Sequence, residues 1–344
     1  MFSLRLLATA PVPTQIEPVT PTSDHPDSTP RPGATPPETP QGRRPAVPAR
    51  APETGLALYN RVATENSVHL LSRYSSSFGA ASLLLPGRMR TRIAAIYALV
   101  RVADEIVDGP GESAGLSTAE CAETLDALEA ETEHALTTGF SSNLVVHAFA
   151  QTARAAGFGT ELTRPFFASM RMDLEQNVHD QASIKTYIYG SAEVIGLMCT
   201  AVFCQDSRVD PRRPEIVDAA RALGSAFQKI NFLRDLGSDL DALGRNYFPG
   251  INVALLTARD RDTIIADIDA DLARARAGIR LLPRVSRPAV ICATELFATL
   301  TRKMGAVPAR DLLRRRIRVS TPHKVVIALR ALLLGRFLPS RGGR

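Results

Sequence analysis

From Leu56 to about Leu338 the apolar residues recur at helical spacing, and no apolar/polar alternation lasts long enough to build a sheet. Such a chain can bury its apolar residues only by packing helices on one another, so the fold class is all-α. The periodicity predicts helices near 57–73, 87–108, 117–137, 142–156, 160–179, 183–204, 212–240, 260–281, 287–304 and 322–337. Gly109-Pro110-Gly111 and Gly157-Phe158-Gly159 mark two of the breaks between them.

The segment before this pattern is of another kind. Residues 1 to 54 hold 13 of the 24 prolines with Thr, Ser and Gly between them, and so few large apolar side chains cannot offset the entropy of ordering. A disordered tail is expected over 1–54, a folded domain over 55–338 and a flexible end over 339–344. The four cysteines include no Cys-x-x-Cys pair and no histidine stands at ligand spacing, which excludes a zinc site or disulfide framework. The longest nearly apolar stretch, Ala192 to Cys204, falls short of the roughly 20 residues that span a bilayer. No transmembrane helix is expected. MFSLRLLATA makes a poor secretory signal, so a cytoplasmic protein is expected.

The net charge of +6 is unevenly spread, because Arg310 to Arg344 carries ten Lys or Arg against the single acid Asp311. Val325, Val326, Ile327, Leu329, Leu332, Leu333 and Leu334 alternate with those charges and aromatic residues are almost absent. That pattern fits peripheral contact with a lipid surface, such as the inner face of the plasma membrane, or a packed terminal helix with its basic face in solvent. It argues against nucleic acid as a partner.

Two acidic pairs stand out. Asp104 and Asp108 in DEIVD end the apolar segment IAAIYALVRVA, and Asp235 and Asp239 in DLGSD follow AFQKINFL. Four-residue spacing puts each pair on one helical face a turn apart, where like charges repel unless a cation relieves them. The same spacing at Asp206/Asp210 and Asp267/Asp271 lies in polar surroundings and is expected to be solvated surface. Arg101 stands a turn before Asp104, and Arg234 directly precedes Asp235. Salt-bridged helix surface would explain this mixture. So would a diphosphate site, where carboxylates hold hard cations and arginines take the remaining phosphate charge.

RYSSSFGAASLLLPGRMRTRIAAIYALVRVADEIVDG, MRMDLEQNVHD, YIYGSAEVIGLM and AFQKINFLRDLGSDLDALGRNYFP resemble, in order and spacing, the signature blocks of the phytoene and squalene synthases. The resemblance runs from about Leu56 to about Leu338 and implies a single-domain isoprenoid-synthase bundle of helices around a central cavity. It makes Asp104, Asp108, Asp235 and Asp239 carboxylates that hold magnesium, or manganese in its place, and through it two isoprenoid diphosphates. Asn231 is implied as a further metal ligand, and Gln228 as a polar group beside it. Arg101, Arg234 and Arg316 are implied as phosphate clamps, and Ser75 and Ser77 as the lining of the diphosphate end. Tyr189 matches a tyrosine of the family's cavity and Tyr247 an aromatic near the second acidic motif. A helix cap or turn would equally explain the serines, and core packing the tyrosines.

Three departures from the family pattern bear on the chemistry. Ser238 replaces a common acidic residue, Phe297 falls where many relatives carry tyrosine, and one extra residue precedes Arg316. The implied reaction is a head-to-head condensation of two geranylgeranyl diphosphates to phytoene, through a cyclopropylcarbinyl (prephytoene) diphosphate, in carotenoid biosynthesis. Squalene or dehydrosqualene synthesis from farnesyl diphosphate is the near alternative. NADPH is not expected for phytoene, and the sequence holds no Gly-x-Gly-x-x-Gly fingerprint. Head-to-tail prenyl synthases and terpene cyclases would usually show adjacent aspartates. A non-catalytic membrane-associated assembly factor on the same fold is the alternative outside enzymology. The sequence leaves the oligomeric state open.

Overall fold

Polar caps start several helices where the apolar periodicity begins. In the computed structural model, which describes residues 54–75, 77–175, 178–243 and 246–337, the Thr54 hydroxyl accepts from Ala57 N at 3.2 Å and opens α1 (Gly55–Tyr74). Capping boxes at Ser117/Glu120 and Thr257/Asp260 open α5 (Thr118–Thr138) and α11 (Ala258–Ile279), and Asn143 caps α6 (Leu144–Ala156). Gly139 and Gly157, at φ 81° and 75°, close α5 and α6 in the left-handed conformation. The remaining helices are α2 (Ser77–Ser82), α3 (Gly87–Val107), α4 (Pro110–Ser113), α7 (Thr160–Glu175), α8 (Gln181–Ile188), α9 (Val194–Cys204), α10 (Pro214–Leu243), α12 (Arg287–Gly305), α13 (Ala309–Leu312) and α14 (Thr321–Phe337). Among the described residues no strand forms, and a lone parallel bridge joins Val178 to Asn246.

All ten predicted helices are present, with ends displaced by a few residues. The helix expected to run to 179 is described as far as Glu175, and Val178 lies in the bridge with Asn246. The short α2, α4 and α13 and the 3-10 turn Val253–Leu255 are additions. The tail expected over 1–54 lies outside the described residues except for Thr54, as does the expected flexible end 339–344.

One turn of π-helix, Tyr189–Glu193, joins α8 to α9 without breaking the run. Two glycines let neighbouring backbones approach it. A Cβ on Gly190 would collide with the Pro165 carbonyl and Ser169 of α7, and one on Gly224 of α10 would collide with the Ala192 carbonyl. The π turn is thereby pinched between α7 and α10. Together α8, the π turn and α9 form a continuous run, Gln181–Cys204, of 24 residues, long and apolar enough by length and composition to cross a membrane. The expectation of no transmembrane helix rested on the shorter stretch Ala192–Cys204. The most apolar window of the longer run is 61% buried inside the protein, as a core helix is. α3, α7 and α10 pack along this run.

One expectation is corrected. Asp271, read as solvated, is buried on α11. It accepts from Ser225 Oγ at 2.7 Å, Lys229 Nζ at 2.8 Å and Arg274 Nη2 at 2.6 Å, which ties α11 to α10. Burial would raise its pKa, but these three partners outweigh burial and hold the carboxyl below the usual range. Asp267, 61% exposed, reaches the same lysine, while Asp206 is exposed as expected and pairs with Arg92 at 3.7 Å.

Candidate active site

A cavity of about 1320 Å³, counting the open space at its mouth, lies between α2, α3, the π turn, α9, α10, α11 and α12. On α3 its wall is Ile93, Ile96, Tyr97 and Val100. On α10 it is Ile216, Ala220, Leu223, Phe227, Gln228 and Asn231. Both rows follow the three- and four-residue spacing of a single helical face. Continued along the same face, α3 reaches Asp104 and Asp108 one and two turns beyond Val100. In the same way α10 reaches Asp235 and Asp239 one and two turns beyond Asn231.

Asp173 and a set of aromatic rings link the surroundings of the first acidic segment to those of the second. Asp104 lies close enough to Asp173 of α7 for that carboxylate to raise its pKa. Tyr187 Oη donates to Asp173 Oδ2 at 3.2 Å. The Tyr187 ring lies 6.1 Å from that of Phe232 and 5.8 Å from that of Tyr247. Tyr247 stacks on Phe232 at 4.2 Å and on His179 at 5.5 Å. Phe232 stands one turn before Asp235, so this aromatic stack bridges from the first acidic motif to the second.

Asp104 is buried and its pKa is pushed well above the carboxylate range, first by burial and then by Asp108, with Arg101 opposing. Arg101 Nη1 donates to Asp104 Oδ2 at 3.0 Å, and its guanidinium also pairs with Glu105 and lies 4.5 Å from the centre of the Tyr74 ring. Asp108 is buried at the C-terminal end of α3. Asp235 sits between two arginines: Arg234 Nε donates to Oδ1 at 2.9 Å, and Arg316 Nε approaches Oδ1 at 2.8 Å. Gly237 makes the second of these contacts feasible. A Cβ there would strike the Leu313 carbonyl, so glycine lets the strand of chain after α13 close over α10 and deliver Arg316.

Ser75 is buried, accepts from Gly79 N at 3.1 Å, and stands beside Tyr97, whose hydroxyl pKa is pushed up mainly by burial. The side chains of Ser77, Ser238 and Asp239 lie outside the described residues. The Tyr189 ring lies 5.2 Å from the Arg221 guanidinium. Tyr187, two residues earlier, is fully buried and donates to Asp173, and neither ring is among the described residues that line the cavity. Asp173 itself was not singled out from the sequence. Its spacing from Phe166 and Met170 puts one acid on a buried apolar face, a signal that was there to be read. Phe297 lines the cavity and stacks on Phe227 at 3.8 Å.

Among the side chains that the resemblance assigns to the site, the buried Arg101 Nε, Gln228 Nε2 and Asn231 Oδ1 have no protein partner, and in the cavity wall neither have Tyr97 Oη and Ser191 Oγ. Buried polar atoms are rarely left so, and the first three, two donors with one acceptor, suit an anion together with a cation. Carboxylates and an amide oxygen are the hard donors that a divalent ion such as magnesium takes. Among the described residues no three His, Cys, Asp or Glu side chains gather into a ready-made metal site. A magnesium bound through one or two carboxylates and substrate phosphates requires no such cage.

Comparison with known proteins agrees with this geometry. The family model for squalene/phytoene synthase matches residues 71–323. The 15-cis-phytoene synthase of Synechococcus elongatus is 34% identical over 65% of this chain and 72% of its own length. That of Synechocystis sp. is 30% identical over 74% of this chain and 80% of its own. Among solved structures, a dehydrosqualene synthase in complex with ligand superposes with a TM-score of 0.64 at 19% identity, over 81% of this chain and 98% of the other. A squalene synthase from Alicyclobacillus acidocaldarius gives 0.59 at 20% identity, over 72% and 96%. The helical bundle is thus the one these enzymes share, and the chain belongs to the squalene/phytoene synthase family, whose members are prenyltransferases.

Proposed function

We propose that this prenyltransferase joins two geranylgeranyl diphosphates head to head and releases phytoene, two diphosphates and two protons. The observation that carries the reading is the identity of 34% and 30% to two 15-cis-phytoene synthases across most of their length. The site supports it chemically. Arg101, Arg234 and Arg316 supply fixed positive charge for diphosphate, and Gln228 Nε2 offers a donor with no other partner. Asp104, Asp108, Asp235, Asp239 and Asn231 would hold magnesium, which supplies electrostatic stabilisation of the departing diphosphate. The apolar walls from Ile93 to Phe297 hold the hydrocarbon tails and keep water from a carbocation. Phytoene arises by proton loss, so the proposed reaction consumes no reductant.

The test incubates purified protein with magnesium and either geranylgeranyl or farnesyl diphosphate, with and without NADPH, and identifies extracted hydrocarbons by mass spectrometry. A forty-carbon hydrocarbon with a central conjugated triene, formed from geranylgeranyl diphosphate without NADPH, is expected. A thirty-carbon product from farnesyl diphosphate alone would overturn the substrate assignment and make the chain a squalene or dehydrosqualene synthase.

A further inference from the structure

The helix α14 has two apolar faces, and the fold uses only one. Ile327 and Ala331 turn inward and join a single apolar cluster with Ala81 of α2, Ile279 of α11 and Val290 and Ala293 of α12. Those last four also line the cavity, so the inner face of α14 backs its hydrocarbon wall. Gly335 packs against the Pro288 ring so closely that a Cβ would clash, which seats the helix on α12. On the outer face Val325, Val326, Leu329 and Leu333 are each more than half exposed. Leu83 and Val285, at the ends of the segments adjoining α2 and α12, are exposed as well. An apolar stripe of this size on water calls for a partner.

We infer that the outer face of α14 docks on an anionic lipid surface, lying in the interface with the hydrocarbon wall of the cavity directly above it. Charge selects this partner. Thr321–Phe337 contains no acid, the exposed Arg330 flanks the apolar stripe, and Arg310 to Arg344 carries ten Lys or Arg against one Asp. A second copy of the chain would set like charge against like on that face. Phospholipid headgroups supply the opposite sign, and acyl chains accept the leucines. With Lys324, Arg330 and Arg336 along it, the segment Thr321–Phe337 is suited to lie along a bilayer. Docking follows from the helix alone. Its benefit rests on the proposed function, because a water-insoluble hydrocarbon made behind α2 and α14 would then pass into lipid without crossing water.

The full chain is mixed with vesicles of phosphatidylcholine, or of phosphatidylcholine with phosphatidylglycerol, and sedimented at low and high salt without substrate. Pelleting with the anionic vesicles, weakened by salt, is expected. Replacing Leu329→Asp and Leu333→Asp together lowers the partition coefficient about tenfold or more, by removing two apolar anchors and adding repulsion. Both side chains are solvent-exposed, so circular dichroism and turnover of detergent-dispersed substrate remain at the wild-type level. Equal pelleting of wild type and variant overturns the inference, as does no pelleting of the wild type. A dimer in sedimentation equilibrium that the same double substitution abolishes, without vesicle binding, assigns the face to self-association instead.

Discussion

Two buried aspartates of this chain are held in opposite ways. Asp271 has three partners that favour its ionised form, whereas Asp104 is buried beside Asp108 and Asp173, which disfavour it. Asp271→Ala should therefore destabilise the fold by about 2 kcal/mol at neutral pH, the scale for losing hydrogen bonds to a charged group. A carboxyl whose folded pKa is depressed contributes stability that is present above its unfolded value, about 3.9, and that fades as pH falls through the lower folded value. Denaturant unfolding of both proteins from pH 7 to pH 3 should show the difference shrinking at the acid end. The sequence marked Asp104 correctly as rising from apolar surroundings but took Asp271 for surface. The physical reason is that Lys229 and Ser225 reach it from a helix 42 and 46 residues away in the chain, and such pairing leaves no mark on the local pattern. Tyr187 went unmarked in the sequence for a related reason, because only the location of α7, with Asp173, shows that its ring is enclosed.

At the scale of elements, periodicity revealed the ten long helices because burial repeats every turn along them. It could not reveal α2, α4 or α13, which are six, four and four residues long and hold too few turns for a repeat to register. The π turn was hidden as well, since one wider turn hardly alters the apolar rhythm, although it sets which residues face the cavity on either side. Ser191 and Ala192 from within that turn line the cavity, and Gly190 and Gly224 are the glycines that hold it between its neighbours. The segment from α13 to Arg316 depends on a similar approach. Gly237→Ala should push Leu313 away from α10 and draw Arg316 from Asp235. Steady-state kinetics should show a KM for the isoprenoid diphosphate raised by about tenfold, from one weakened charge-assisted contact, with a smaller change in kcat. Arg316→Lys should reproduce the KM effect without the accompanying loss of thermal stability, since it leaves the backbone packing intact.

Across the whole molecule, helices from both ends of the chain enclose one cavity whose wall is interior yet not close-packed. The family blocks announced such a cavity, and the apolar faces of α3 and α10 that wall it run on toward the acidic residues of the same helices. That hollow has a mechanical consequence. Close-packed interiors yield little to compression, while unfolding eliminates internal void and so lowers the volume of the system. Hydrostatic pressure should therefore unfold this protein more readily than a densely packed helical protein of equal size and thermal stability. Filling the cavity with an inert prenyl diphosphate analogue should raise the pressure midpoint, by more than an analogue with the same diphosphate but a short tail. High-pressure fluorescence of the two complexes would measure how far the hydrocarbon chain substitutes for core.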